Sequence, residues 1–399
     1  MNTKDIEISN SKRPEGSCPI YKKCGGCQLQ NMTYEKQLLW KQSKVEQLLS
    51  KFCYVDKIIG MKNPRNYRNK VQAAYGMTRD NKVISGVYQS TTMKIVPTDK
   101  CMTEDIIADK IIVDIRNMLT PLGIVPYNEY NGNGLLRHVL VKRGFATNEV
   151  MVVFVGSNPI FPQKKLFVQE LLKKHPEITT IIFNINSDRP SMLLGDREHI
   201  LYGKGFIEDI MCGCRFKISA KSFYQINPIQ TEILYNKAMD FAQLTGCETV
   251  IDAYCGIGTI GLIASSKAKE VIGVEINKDA VKDAILNTKL NSIKNARFFC
   301  YDAGKFMREM ADEKEKCDVV FMDPPRAGSD KEFLSALIVL FPPKIVYISC
   351  NPETLERDLL FLTQNGYKVT KIQPVDMFPH TNHVEAIILM TYCGDKPKK

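Results

Sequence analysis

The sequence predicts an α/β protein whose C-terminal part is a Rossmann-like, doubly wound sheet, and three observations support this prediction. From residue 219 onward, apolar strand-like runs alternate regularly with segments of helical period. The segment 56–218 carries short β-rich runs separated by turn residues, which is typical of an α+β domain with much antiparallel sheet. Residues 1–55 contain a polar arm, a tight cysteine cluster and an amphipathic helix. We therefore expect three regions with the boundaries 1–55, 56–218 and 219–399.

The composition excludes several classes of protein. The chain has 399 residues, 44% of them hydrophobic and 25% charged, which is enough apolar matter for packed cores and excludes dominant disorder. No apolar run is long enough to span a membrane, and the N-terminus has no stretch of the signal-peptide type. The 13 cysteines are odd in number and spread along the chain, unlike those of a disulfide scaffold. We expect a monomer of the reducing cytoplasm, in which most cysteines, Cys300 among them, are buried as small hydrophobic residues.

The charge balance favours an anionic partner. The formal net charge is +10, and such a field attracts polyanions in a salt-dependent way. Basic residues cluster at Lys62, Arg65, Arg68 and Lys70, and again at 396–399. Binding of a nucleic acid and a merely solvated basic face are both compatible with this pattern.

Two helices are predicted in the first half of the chain. One covers 105–119, where apolar residues recur with helical period. The other lies just after the cysteine cluster, and its apolar residues fall close to one face: Tyr34, Leu38, Val45, Leu48 and Leu49.

The C-terminal region begins with Asn227 and Pro228, an N-cap followed by proline at the first helical position. We expect this helix to end at Gly246. Five strands are then predicted at 248–253, 270–275, 296–301, 317–323 and 344–349. The last two strands, 366–372 and 383–390, are joined without a helix, so the final strand should be antiparallel to its neighbour. One reversed strand beside parallel ones is typical of S-adenosylmethionine (SAM) methyltransferases.

Three carboxylates mark a cofactor pocket at the carboxyl edge of this sheet. Asp252 precedes a glycine turn that lets the backbone approach a ligand closely. Glu275 ends the next strand, where a carboxylate can accept hydrogen bonds from ribose hydroxyls. Asp323 follows the fourth strand in the motif DPPR and can face a cofactor or a base. A nicotinamide dinucleotide would use a similar glycine turn, but the lead-in DAYC favours a cofactor without a pyrophosphate.

A nucleophile and a base are predicted at the end of the same sheet. Cys350 follows the fifth strand and precedes Asn351 and Pro352, so exposure and a helix N-terminus should both favour its thiolate. Glu385 opens the apolar run of the last strand, where a desolvated carboxylate has a raised pKa and suits a proton acceptor.

Six motifs together resemble the RNA uracil-C5-methyltransferase family: SFYQIN (222–227), DAYCGIG (252–258), VEIN (274–277), DPPR (323–326), SCNP (349–352) and HVEAI (383–387). The resemblance covers nearly the whole chain from about residue 17. It implies SAM contacts from Gln225, Tyr254, Glu275 and Asp323, the nucleophile Cys350 and the proton acceptor Glu385. In this chemistry the thiolate adds to uracil C6 so that C5 can take a methyl group, and 5-methyluridine is the product. Thr259 departs from relatives with Asn there, so no SAM contact is expected at that position.

The N-terminal cysteines form a candidate metal site. Cys18, Cys24 and Cys27 have the spacing C-x5-C-x2-C, and Cys101 follows alone; four such thiolates can bind zinc or a 4Fe-4S cluster. The segment CGGCQLQ (24–30) resembles the iron–sulfur motif of the 23S ribosomal RNA branch of the family, which implies a 4Fe-4S cluster. Only 17 residues precede Cys18, too few for the small β-barrel domain of many relatives. RNA selection is therefore expected to fall to the central domain and the cluster region.

Three alternatives remain open at this point. The first is a transfer RNA substrate instead of 23S ribosomal RNA. The second is an amine-directed methyltransferase of adenine or guanine that clamps the amine with the DPPR loop and needs no cysteine–glutamate pair. The third is a noncatalytic RNA-binding or redox-sensing protein on the same fold.

Overall fold

The structure, a computed structural model, describes residues 16–89, 92, 94–187 and 193–394. The polar arm before residue 16 and the basic residues 396–399 lie outside this part of the chain. Within it, no helix is both long enough and apolar enough to cross a membrane. The described chain begins with a one-turn helix α1 (Tyr21–Cys24) and the longer helix α2 (Tyr34–Leu49).

The central region is built on a seven-stranded sheet of order β3-β2-β1-β4-β5-β6-β7. Its strands are β1 (Lys70–Met77), β2 (Val83–Tyr88), β3 (Ile95–Pro97), β4 (Leu136–Arg143), β5 (Val150–Gly156), β6 (Ile178–Ile185) and β7 (Arg197–Tyr202). All neighbours are antiparallel except β5 and β6, which α4 (Lys164–Lys174) connects as a crossover. The expected antiparallel character is thus confirmed.

The predicted helix at 105–119 is confirmed as α3 (Ile106–Leu119). Asp105 caps it, because its side chain accepts hydrogen bonds from the backbone N–H groups of Ile107 and Ala108. The buried face of α3 packs on the central sheet and supplies much of that region's core.

A hairpin of β8 (Ile207–Met211) and β9 (Cys214–Ile218) leads into α5 (Pro228–Ala242). Asn227 caps α5 as expected, but the helix ends before Gly246. Gln243 adopts the left-handed conformation with φ of 50° and closes the helix, so the prediction that Gly246 ends it was wrong. The amide of Gly246 instead donates to the carbonyl of Lys267.

The C-terminal region is a second seven-stranded sheet of order β12-β11-β10-β13-β14-β16-β15. Its strands are β10 (Thr249–Ala253), β11 (Glu270–Glu275), β12 (Ala296–Cys300), β13 (Val319–Met322), β14 (Lys344–Ser349), β15 (Tyr367–Val375) and β16 (Glu385–Tyr392). Its helices are α6 (Thr259–Ser265), α7 (Lys278–Leu290), α8 (Ala303–Asp312), α9 (Lys331–Leu340) and α10 (Pro352–Thr363). The strands β10 to β14 are parallel, and β16 runs antiparallel to both β14 and β15, as predicted.

The N-terminal helix α2 packs on this second sheet. Val45 and Leu49 belong to the same core as α9, α10 and β14, and the chain after the helix pairs with β15 at Val55 and Ile59. The buried face of α2 is less apolar than the sequence suggests, because it also carries Lys41. Helix α2 and the chain that follows it are thus joined to the C-terminal region by packing.

Candidate active site

Cys350 and Glu385 meet at the carboxyl edge of the second sheet. In the antiparallel pair of β14 and β16, Ser349 lies opposite Ala386, so Cys350 directly follows one member of this pair and Glu385 directly precedes the other. The charge of Glu385 acts on the thiol of Cys350, as expected for two neighbouring groups. Asp323 directly follows β13, the other neighbour of β14, and therefore lies at the same edge. Three residues that are far apart in the sequence are brought together by the order of the strands.

The thiol of Cys350 lies in a less favourable environment than the sequence suggests. Burial and the carboxyl groups of Glu385 and Asp323 raise the pKa of Cys350 to about 11, although Arg326 opposes them. The N-terminus of α10 is already capped, because the side chain of Asn351 accepts from the amide of Glu353. The thiolate is therefore the minority form here, contrary to the expectation from the helix N-terminus.

Glu385 is a buried carboxyl group with a free oxygen. Its side chain is 4% exposed, and among the described residues Oε2 has no hydrogen-bond partner. Burial raises the pKa of Glu385 well above its usual range, the neighbouring Asp323 adds to this, and Arg326 lowers it. A carboxyl group with these properties can hold a proton near neutral pH and is poised to accept or release it.

The glycine turn after β10 has the geometry of a ligand-binding loop. Tyr254 adopts φ of 63°, which is rare for a residue with a side chain. The amide of Gly256 donates to Oε2 of Glu275, which ties the turn to the end of the next strand. Asp252 accepts from the amide of Gly261 through Oδ2, whereas its buried Oδ1 has no partner among the described residues. Burial raises the pKa of Asp252 to about 8.

Gln225 is held beside these carboxyl groups by the central region. Asn69 donates from Nδ2 to the carbonyl of Gln225 at 3.1 Å. The side chain of Gln225 hydrogen-bonds to the buried Tyr235 of α5, whose pKa is raised by burial and by the charges of Asp323, Asp252 and Glu385. Sequence reasoning missed Tyr235, because nothing distinguishes it from an ordinary apolar position on a buried helix face.

The four cysteines of the predicted metal site line one cavity of about 300 Å³. Cys18, Cys24, Cys27 and Cys101 share this cavity with Arg68. Within the described residues, no group of three or more His, Cys, Asp or Glu side chains is arranged to hold a metal ion. Burial raises the pKa values of the thiols of Cys24, Cys27 and Cys101, that of Cys101 to about 12.

The expectation that Cys300 is buried was wrong. Cys300 is exposed, because β12 is an edge strand whose second face is open to solvent. The basic cluster is also divided between two environments. Lys62 and Arg65 are exposed, whereas Arg68 is only partly exposed and lines the cysteine cavity. Arg68 is therefore placed to contact the cavity's contents and not to serve as a free surface cation.

Comparison with known proteins identifies the family. The model of the tRNA (uracil-5-)-methyltransferase family matches residues 212–392. A protein of Clostridium tetani named as an uncharacterized RNA methyltransferase is 43% identical over 398 residues, which cover 99% of this chain and 86% of that protein. The chain belongs to the RNA (uracil-5-)-methyltransferase family. A second protein of this name, from Bacillus cereus, is 42% identical over 391 residues, covering 97% of the enzyme and 85% of that protein.

A solved structure resembles the enzyme over most of its length. It is the crystal structure of Pyrococcus abyssi tRNA (uracil-54, C5)-methyltransferase in complex with S-adenosyl-L-homocysteine. The similarity has a TM-score of 0.77 at 28% sequence identity and covers 92% of the enzyme and 86% of that chain. The expected methyltransferase sheet is thereby confirmed, and the enzyme is a SAM-dependent RNA methyltransferase.

The carboxyl edge fits this cofactor chemically. SAM carries a sulfonium and an ammonium cation, and both are stabilised by nearby negative charge. Asp252 and Glu385 each present a buried oxygen without a described partner, and Asp323 lies between them in the strand order. A bound cation would favour the ionised forms of these carboxyl groups, whose pKa values burial has raised.

Proposed function

We propose that the enzyme forms 5-methyluridine in RNA by covalent catalysis, with Cys350 as nucleophile and Glu385 as proton acceptor. The observation that supports this proposal is the pairing of Ser349 with Ala386, the direct neighbours of Cys350 and Glu385, together with the effect of the Glu385 charge on the pKa of Cys350. An amine-directed methyltransferase would have no use for such a pair. The proposed SAM contacts are Gln225, Tyr254, Glu275 and Asp323.

The reaction follows from the reactivity of uracil. The thiolate of Cys350 adds to C6, so that a sulfur–carbon bond forms and the electrons of the C5–C6 double bond move toward C5 and O4. SAM, when bound, supplies the methyl group that C5 takes. Glu385 then accepts the C5 proton, the C5–C6 double bond forms again, and the thiolate of Cys350 leaves. Arg326 supports the first step, because its charge favours the thiolate.

The two residues should fail in different ways when they are replaced. Cys350→Ala removes the addition step, so neither methylated RNA nor a covalent complex should form. Glu385→Gln retains the thiolate, so addition and methylation proceed while proton removal stalls. Loss of a general base costs roughly 10²–10⁴ in rate. A protein–RNA complex that resists denaturation should therefore accumulate with Glu385→Gln and be visible on a gel.

Matched controls exist for both substitutions. Cys300→Ala removes an exposed thiol, and Glu315→Gln neutralises an exposed carboxylate; both should leave activity unchanged. Wild-type enzyme should also be trapped by RNA with 5-fluorouridine at the target position, since fluorine cannot leave as a cation. Methylation by Cys350→Ala would overturn the covalent mechanism, and normal turnover by Glu385→Gln would assign the proton to another base.

For the substrate we propose a uridine of 23S ribosomal RNA, supported by the likeness of CGGCQLQ (24–30) to the motif of that branch. Transfer RNA is a second candidate, because the structurally similar Pyrococcus abyssi enzyme acts on tRNA uracil-54. Mapping 5-methyluridine in both RNA classes from a strain without the enzyme decides between them. Loss of the modification from 23S RNA alone supports the proposal, and loss from transfer RNA alone refutes it.

We further propose that Cys18, Cys24, Cys27 and Cys101 hold a 4Fe-4S cluster. All four line one cavity, and Arg68 in its wall would stabilise the negative charge of a thiolate-ligated cluster. A single ion would require every sulfur within about 2.3 Å of one point, whereas a cluster of four irons keeps its thiolates further apart. The cluster would be structural or position RNA, because the methyl transfer requires no electrons.

Metal analysis of protein purified without oxygen tests this assignment. Four irons and four inorganic sulfides per chain are expected, with a brown colour. Cys24→Ser should lower the iron content, whereas Cys247→Ser, at an exposed cysteine outside the cavity, should not. One zinc per chain and no iron would contradict the assignment.

A further inference from the structure

A second cavity of the central region has no part in the reaction proposed above. It has a volume of about 590 Å³, within the size range of pockets for small ligands. The ends of β1 and β2, the start of β3 and the loop before β4 form its walls. The residues that matter here are Met77, Arg79, Tyr88, Lys94 and Tyr130. We call this the tyrosine cavity.

The charge of the tyrosine cavity is positive. Arg79 and Lys94 are exposed, and within the described part of the chain neither side chain forms an ion pair or a hydrogen bond. The acidic residue of the wall, Glu129, is neutralised by Arg137 through hydrogen bonds of 2.9 to 3.1 Å. Two cations thus remain available for an anionic ligand.

The aromatic side chains of the tyrosine cavity offer stacking surfaces. Tyr130 is 82% exposed, although tyrosine usually buries most of its ring. The loop that presents it is held by its own hydrogen bonds, because Oδ1 of Asn128 accepts from the amides of Tyr130 and Asn131. Tyr88 is partly buried, and the ring of His138 holds it edge-on at 5.8 Å between centroids.

Exposed aromatic rings interleaved with unpaired cations are the features that bind single-stranded nucleic acid. Every base can stack on a tyrosine, while lysine and arginine contact the phosphates on either side. The position of the tyrosine cavity also favours RNA as its ligand, because Tyr88 lines both this cavity and the cysteine cavity. An RNA strand that reaches one cavity can therefore reach the other.

We propose that the tyrosine cavity binds an unpaired nucleobase of the RNA substrate, stacked on Tyr130 and Tyr88, with the flanking phosphates on Arg79 and Lys94. This inference rests on the proposed function for the kind of polymer that is bound. The pocket holds a base other than the one that is methylated, and it serves affinity and selection of the RNA.

A binding measurement with the full chain tests the proposal. The probe is a fluorescein-labelled, unstructured 12-nucleotide oligouridylate, titrated at several salt concentrations. Tyr130→Ala should weaken binding about 5- to 150-fold, the effect of losing one stacked base. Replacing Arg79 and Lys94 with alanine should reduce the slope of log affinity against log salt by about 0.7 for each lost phosphate contact. Tyr54→Ala, at a tyrosine that is 80% exposed elsewhere, is the control and should bind as the wild type does.

Photocrosslinking locates the contact independently. An oligonucleotide of 5-iodouridine, irradiated with the enzyme, should attach to the peptide of Tyr88 or of Tyr130. If Tyr130→Ala binds the oligouridylate as tightly as wild type and Tyr54→Ala, the proposal is overturned. Methyl transfer to total RNA is measured separately. If Tyr130→Ala loses binding but the wild-type enzyme forms no 5-methyluridine, the proposed function is overturned and the base pocket stands.

Discussion

Arg326 carries a positive charge that favours ionisation of the Cys350 thiol. It follows the two prolines of the DPPR motif, and its own carbonyl accepts hydrogen bonds from the side chains of Asn351 and Thr354. The loop that carries the arginine is therefore tied to the segment that carries the thiol. Burial and two carboxyl groups raise the pKa of the Cys350 thiol, whereas the charge of Arg326 lowers it. Removal of the arginine should therefore make the thiol harder to ionise.

Arg326→Gln should raise the pKa of Cys350. Alkylation by iodoacetamide requires the thiolate, so its rate at pH 8 should fall roughly tenfold for each pH unit that the pKa rises. Mass spectrometry of the peptide that contains Cys350 separates this thiol from the other twelve cysteines. Arg308→Gln, at an exposed arginine near Glu332, is the control. Identical alkylation profiles for wild type and Arg326→Gln would show that the arginine does not act on the thiol.

At the scale of secondary structure, helix α2 is fastened to the second sheet by a buried ion pair. Nζ of Lys41 donates to Oδ1 of Asp376 at 2.6 Å, and both side chains are fully buried. Tyr34 donates to the other carboxylate oxygen at 2.9 Å. The pair therefore fixes the position of the helix that follows the cysteine cluster.

Lys41→Met should destabilise the protein by about 3–5 kcal/mol, because it leaves the carboxylate of Asp376 buried without its cation. Combining it with Asp376→Asn removes the unpaired charge and should restore a large part of this loss. Unfolding in urea gives the free energies, with the exposed Lys36→Met on the same helix as control. A loss below about 1 kcal/mol for Lys41→Met, similar to a surface substitution, would contradict the role given to the pair.

Helix α2 also shows which features of the fold cannot be predicted from local sequence patterns. Most strands of the two sheets and α3 follow local patterns of apolar residues, so they could be predicted from the sequence. The edge strand β7 is almost entirely exposed and has no such pattern, so it was not predicted. The missing crossover helix predicted that β16 runs antiparallel to β15, but not that β16 lies between β14 and β15, which is what brings Glu385 to the end of β14 beside Cys350. The partner of α2 lies more than 300 residues away, so no local pattern reveals that Lys41 is buried. Cys300 was wrongly predicted to be buried for a similar reason, because only the strand order shows that β12 is an edge strand.

At the scale of the whole molecule, Lys142 links the central sheet to the segment that leads into α5 and the C-terminal region. Lys142 is on β4 of the central sheet, and its buried Nζ donates to the carbonyls of Ser219 and Ser222 at 2.8 Å each. These two serines lie in the turn just before Gln225, so the central region holds the segment that carries a proposed SAM contact. Burial and the neighbouring Lys70 lower the pKa of Lys142 to about 7, although Asp283 and Glu198 oppose them.

This lowered pKa makes the stability of the fold depend on pH in a defined direction. The unfolded chain holds a proton on Lys142 up to about pH 10.5, whereas the folded protein releases it above about pH 7. Between these values the unfolded state binds more protons, so the contribution of Lys142 to stability rises with pH, by about 1.4 kcal/mol per pH unit. Below about pH 7 the lysine is charged in both states and its contribution is constant.

Lys142→Met removes this dependence. The free energy of unfolding of wild type minus that of the variant should therefore increase from pH 7 to pH 9 by about 2.3 kcal/mol. Taking the difference cancels the other titrating groups, and Lys305→Met, at an exposed lysine, should show no such slope. Between pH 5 and pH 6 the two curves should run parallel. A difference that stays constant up to pH 9 would mean that Lys142 keeps its proton in the folded protein, and that a charged ammonium group joins the central sheet to the turn before Gln225.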